Sequence, residues 1–220
     1  MKNKSFNKFH FKIGKKSIQS NRVFVVAEIS ANHNKSLSRI KKIIMNAKLC
    51  GADAVKLQTY KPETITINSN KKDFKLNYLK KNKSWKKFKN FYQLYKTGYF
   101  PWHWHKEIFS YAKKIGIEIF SSPFDESAVD LLESLNCVAY KVASPEINHI
   151  PLLERIAKTK KPVIISTGLA NEIDIRNALN IFKRYKNNKI ILLKCNSSYP
   201  AKIEESDLNN IKYMQHKFKV

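Results

Sequence analysis

Short β-branched runs alternating with longer helical patterns constrain this chain more than any other feature. Candidate strands fall at Phe24–Ile29, Ala54–Gln58, Glu118–Ser121, Ala139–Val142, Val163–Ser166 and Ile190–Leu193. Helical periodicity fills the gaps at about Leu37–Cys50, His103–Ile115, Glu126–Leu135, Leu152–Thr159 and Glu172–Tyr185, and resumes near Asp207. Ser36 is placed to cap the first of these and Gly51 to end it. Strand, helix, strand repetition is the pattern of a parallel α/β sheet. From the third strand onward the units recur roughly every 20 to 27 residues. Ahead of them FHFKIGKKSI reads as a hairpin turning at Gly14-Lys15, and residues 61–101 read as an elaborated loop holding one or two helices.

Two architectures fit six parallel strands. A doubly wound nucleotide-binding sheet advertises itself by GxGxxG or GxxxxGK[ST] after a strand. Neither motif is present, and five glycines in 220 residues leave little room for one. The chain is therefore expected to be a (β/α)₈ barrel, incomplete at about six of its eight units. The expected organisation is a hairpin extension over residues 1–22 and the incomplete barrel over 23–220, with no interior linker.

Composition excludes several classes. Hydrophobic residues make up 43% and aromatics 12%, which suits a packed core. No apolar run is long enough to span a bilayer, and the basic N-terminus lacks the apolar region of a secretory signal, so a cytoplasmic protein without a membrane role is expected. Cys50, Cys137 and Cys195 are odd in number and widely spaced, unlike a disulfide framework or structural zinc site. The net charge of +25 raises nucleic-acid binding. Yet only five of the 42 basic residues are Arg, the residue favoured for base and phosphate recognition. The lysine excess accompanies abundant Asn and Ile, as A/T-rich codons would produce, and the run at residues 70–90 reads as a solvated face. No nucleic-acid partner is expected.

Against that background, lysines inside strands stand out. Lys56 lies in the second strand, Lys141 in the fourth, and Lys194 ends the sixth. Inward residues of alternate barrel strands share a layer, so three ammonium groups are expected to converge at the C-terminal mouth and to need an anion between them. Polar neighbours fit: Gln58 on the face of Lys56, Ser144 and Glu146 after the fourth strand, Ser166 and Thr167 with Gly168 after the fifth, Ser197 and Tyr199 after the sixth, and Glu28 with Asn32, His33 and Asn34 after the first. His103 and His105, two apart on a helix, do not face one another and read as structural.

The segments AEISANHN, GADAVKLQTY, PWHWH, FSSPFDESAVDLLESL, AYKVASPEI, KPVIISTGLA and LLKCNSSYPA occur in the order and spacing of the nonulosonic acid synthases. Over residues 12–215 the chain resembles that family, and SANHN, LQTY and SSPFD are most similar to its pseudaminic acid synthase branch. The resemblance implies a (β/α)₈ barrel with a C-terminal antifreeze-like domain in a swapped homodimer. It implies condensation of phosphoenolpyruvate with a 2,4-diacetamido-trideoxyhexose or related N-acyl amino-hexose, releasing phosphate. A Mn²⁺ or similar divalent ion is implied to polarise the sugar aldehyde.

By matching motif, Lys56, Gln58, Lys141, Ser144, Ser166, Ser197 and Tyr199 are implied to hold phosphoenolpyruvate, with Glu28 and Glu146 catalytic. Glu28 would contact sugar hydroxyls or a metal-bound water, and Glu146 would transfer a proton or orient a carboxylate. The family's metal-binding histidines sit in a Ser-Asp-His motif and a later Lys-His or Arg-His pair, and neither is expected within YMQHKFKV or before it. The expectation is thus no metal ligand in this chain, no antifreeze-like domain, and no synthase activity without a complementing C-terminal piece. The alternative is a non-catalytic remnant that keeps an anion pocket.

Overall fold

A computed structural model describes residues 11–18, 22–76, 87–198 and 200–220. Tyr199 and half of the lysine-rich run, residues 77–86, lie outside the described residues.

Six strands form one parallel sheet: β3 (Val26–Glu28), β4 (Ala54–Thr59), β5 (Glu118–Pro123), β6 (Tyr140–Val142), β7 (Val163–Ser166) and β8 (Ile190–Leu193). Their spatial order is their chain order. That settles the architecture, because a doubly wound sheet reverses order at a switch point whereas a barrel never does. The sheet is a curled partial barrel, and within the described residues β3 and β8 each pair on one side only.

Helices pack outside the sheet: α1 (Leu37–Leu49), α4 (His105–Ile115), α5 (Glu126–Ser134), α6 (Ile150–Lys158) and α7 (Glu172–Arg184) each return the chain to the start of the next strand, and α8 (Asn209–Phe218) follows β8. Local chemistry sets their limits. Ser36 Oγ accepts from the Arg39 amide at 3.3 Å to start α1, as expected, and Gly51 adopts φ +87° just past its end. Asn171 and Asp174 exchange side-chain bonds with each other's amides at the start of α7. The helix expected from His103 begins at His105, because Trp102–Trp104 wind as a 3₁₀ turn behind Pro101. The loop between β4 and α4 carries α2 (Pro62–Ile65) and α3 (Phe91–Gly98).

The strands are short and largely buried on both faces, as parallel strands between a helical layer and a barrel interior must be. Ala54, Val55 and Leu57 of β4 and Phe120 of β5 are fully buried. The hairpin β1 (Phe11–Ile13) and β2 (Lys16–Ile18) turns at Gly14 with φ +58° and lies across the N-terminal ends of β4 and β5. Its Lys15 amide donates to Glu118 at 2.8 Å, and Arg22 just beyond it pairs with Asp53 at 2.5 Å. Ile13 is fully buried in the common core, a contribution of roughly 1.5–3 kcal/mol that anchors an element too small to be stable alone.

Candidate active site

Parallel pairing brings the inward side chains to one mouth. Glu28 pairs in register with Lys56, and Lys56 with Phe120; Gln58 pairs with Ser122, Lys141 with Ile164, and Ser166 with Leu193. At the C-terminal ends of these strands a cavity of about 550 Å³ opens, lined by Glu28, Lys56, Gln58, Lys141, Ser144, Ser166 and Ser197 among others. Seven of the nine expected site residues therefore share one cavity. Glu146 sits beside it on the turn Ser144–Asn148, and Tyr199 lies outside the described residues.

The lysines are held differently. Lys56 pairs with Glu28 and donates to Ser122 Oγ at 3.3 Å. Lys141 is 9% exposed, donates to the Val142 carbonyl at 2.8 Å and to Ser166 Oγ, and has no carboxylate in contact. Burial, then the neighbouring Lys56 cation, lower its pKa to about 8. Glu146 shows the opposite effect: burial raises its carboxyl to about 7, although Lys141 pulls it down. Its Oε2 is buried with no hydrogen-bond partner. Burial, then the Glu146 charge, raises the phenol of Tyr95 on α3.

Gly168 shows how closely the far wall is packed. Its amide donates to Ser144 Oγ at 3.2 Å, and a Cβ there would lie 2.5 Å from Ser197 Oγ and 3.2 Å from Cys195 Cβ. Three hydroxyls and a backbone amide thus meet beside Lys141.

One expectation is corrected. Lys194 does not join the other lysines: Leu193 and Cys195 line the cavity, so Lys194 between them faces away and donates to the Cys195 carbonyl at 3.4 Å. Side chains alternate along a strand, so its position one residue past Leu193 gives it the wrong parity. Two lysines and the Glu28 carboxylate, not three lysines, set the charge of the mouth. Three polar wall residues, Ser122, Cys195 and Asn196, went unread in the sequence. Ser122 faces Gln58 across the β4–β5 ladder and could have been found by counting parity from Lys56; Cys195, whose thiol donates to Ser166 Oγ at 3.2 Å, carried no signal beyond its place after β8.

His105 is buried with both ring nitrogens bonded, and so reads as structural. His105 Nε2 and Ser121 Oγ both bond Thr59 Oγ1, at 2.8 and 2.7 Å, and His105 Nδ1 bonds the Trp102 carbonyl at 3.1 Å. His33 accepts from the Lys35 amide at 3.0 Å and packs edge-on against Phe100 and Trp104. Among the described residues no group of three His, Cys, Asp or Glu side chains is placed to hold a metal ion. Nor is any helix among them long and apolar enough to cross a membrane.

Cations and hydroxyl donors thus converge at the strand ends, an arrangement suited to an anion, beside a carboxyl that burial raises to about 7. The sequence profile of the NeuB family matches residues 43–220. The chain belongs to the NeuB family. It is 45% identical over 184 residues to the pseudaminic acid synthase of Helicobacter pylori, covering 84% of this chain and 53% of that protein. With the pseudaminic acid synthase of Campylobacter jejuni the identity is 44% over 199 residues, 90% of this chain and 57% of the other. The solved N-acetylneuraminic acid synthetase of Leptospira borgpetersenii, in complex with citrate, superposes with a TM-score of 0.79 at 28% identity, covering 96% of this chain and 67% of that one. The chain spans about half the length of the curated relatives it matches.

Proposed function

We propose that this chain is the phosphoenolpyruvate-binding part of a cytoplasmic synthase. That synthase condenses phosphoenolpyruvate with a 2,4-diacetamido-trideoxyhexose, or a related N-acyl amino-hexose, to give a nonulosonic acid such as pseudaminic acid. The observation that carries this reading is the convergence of Lys56, Lys141, Ser144, Ser166 and Ser197 on one cavity at the strand ends. Lysine suits phosphate as a compact point charge, and Gln58 and the Gly168 amide add neutral donors on either side. Tyr199 joins the same group through the resemblance of CNSSYP. Glu28 pairs with Lys56 and, by the resemblance, would contact the second substrate.

In this reading the methylene carbon of phosphoenolpyruvate bonds to the sugar aldehyde carbon. The aldehyde oxygen becomes a hydroxyl and needs a proton, which Glu146 can give because its carboxyl is half-protonated near pH 7. Water adds to the resulting cationic carbon and loses a proton; phosphate then leaves by cleavage of its bond to that carbon, and the new hydroxyl gives up its proton as the ketone carbonyl forms. The two ammonium groups stabilise the negative charge on the departing phosphate. The divalent ion that the resemblance implies finds no three-donor group among the described residues, so no step is derived through it.

That same observation favours a second reading, a non-catalytic remnant or barrel fragment that keeps the anion pocket. Calorimetry with phosphoenolpyruvate tests the first requirement of both. Binding that weakens at least about tenfold in Lys56→Ala and Lys141→Ala is expected; binding indifferent to both substitutions would sink the assignment. Phosphate release from phosphoenolpyruvate and the hexose separates the two readings: the chain by itself is expected to release none, release on adding a complementing C-terminal piece would discard the remnant, and none even then would discard the synthase part.

A further inference from the structure

The structure assigns a second ligand site, beneath the barrel, to a small anion with an apolar body. A separate cavity of about 500 Å³ lies between α4, α5 and the β1–β2 hairpin, at the opposite end of β5 from the mouth. Its size is that of a pocket for a drug-sized molecule. On α4 it is lined by Lys106, Phe109, Ser110 and Lys113, spaced i, i+3, i+4 and i+7 and therefore on one helix face. The hairpin brings Lys15 and Lys16 to the same cavity. Its floor is apolar, with Ile117 and Ile119 leading into β5 and Leu135 and Val138 between α5 and β6.

Charge selects the occupant. Four lysines face one carboxylate, Glu118, which already accepts the Lys15 amide. Lys16 is 4.0 Å from Asp53, whereas Lys106 and Lys113 have no carboxylate partner among the described residues. The lower face of such a barrel ordinarily carries stability, not ligands, and Lys106 and Lys113, which bracket Phe109 on one helix face, make no ion pair there among the described residues. An apolar floor under a cationic rim fits an aromatic or acyl carboxylate, sulfonate or phosphate monoester. Free inorganic phosphate lacks the apolar body and belongs to the mouth instead.

The test is titration of the full chain with anilinonaphthalene sulfonate, an aromatic anion that fluoresces when bound in apolar surroundings. Saturable binding is expected, insensitive to millimolar inorganic phosphate and retained in the Lys56→Gln/Lys141→Gln double variant. Lys106→Glu/Lys113→Glu should weaken it by about tenfold or more without lowering the melting temperature, since both side chains are exposed. Ser110→Glu, which puts a carboxylate between them, should do the same. Binding unchanged in the Lys106/Lys113 variant, binding lost only in the Lys56/Lys141 variant, or fluorescence that never saturates would each overturn the assignment.

Discussion

Lys141 carries a charge that burial and the Lys56 cation disfavour. Lowering an ammonium pKa from 10.5 to about 8 corresponds to about 3 kcal/mol of disfavoured charge, a cost that a bound anion relieves. Binding of phosphoenolpyruvate at pH 8 should therefore be accompanied by proton uptake, up to about half a proton from Lys141 alone. Glu146 adds to it with the same sign, because an anion nearby raises a carboxyl that already titrates at about 7. Calorimetry in buffers of different ionisation enthalpy reads the uptake directly. Lys141→Arg, permanently charged, should abolish most of it, and proton release in the wild type would contradict the arrangement. Affinity should fall as pH rises from 7 to 9, as Lys141 loses its charge and Glu146 gains one. Gly168→Ala tests the opposite wall. Ser197 Oγ can rotate away from a new Cβ, but Cys195 Cβ cannot. We expect loss of phosphoenolpyruvate binding by about tenfold or more with a drop in melting temperature of only a few degrees; intact affinity would show that the amide and hydroxyls of this wall do not hold the ligand.

The Thr59 hydroxyl fastens α4 to the ends of β4 and β5 through His105 and Ser121, and it adjoins Gln58 and Ser122 of the mouth. Burial pushes His105 down to about 4 from 6.5, so the unfolded chain binds the proton first as pH falls. Stability from this group is complete above pH 6.5 and drains away toward pH 4, by about 3 kcal/mol in all. Urea midpoints measured across that window should fall in the wild type and flatten in His105→Gln; parallel curves would remove the histidine as the cause. The histidine was legible as structural from its spacing, but its partners were not, since Thr59 and Ser121 come from strands distant in sequence. The same division holds generally. β-branched runs, Ser36 and Gly51 placed strands and helix ends to within a few residues because those signals are local. Lys56 and Lys141 were found because a cation inside an apolar strand is conspicuous. Lys194 misled because a strand end gives no fixed parity until the neighbouring register, Ser166 against Leu193, is known.

At the scale of the whole molecule, two forces oppose each other. Within the described residues β3 and β8 leave one backbone edge each unpaired, and Val23, Val25 and Leu193 beside them are exposed. Open edges with apolar flanks are templates for pairing with another chain. The net charge of +25 pushes copies apart. Which wins depends on screening, because the Debye length shrinks from about 30 Å at 0.01 M salt to about 3 Å at 1 M. Edge pairing is short-ranged and survives that change, whereas the repulsion does not. Sedimentation should therefore show the chain dispersed at low salt and increasingly associated as salt rises, the reverse of what an ion-pair interface would do. Val25→Lys adds a charge beside the β3 edge and should move the onset of association to higher salt or higher protein concentration. A sedimentation coefficient that stays constant across the whole salt range, or association that salt dissolves, would show that the open edges do not govern how copies of this chain meet.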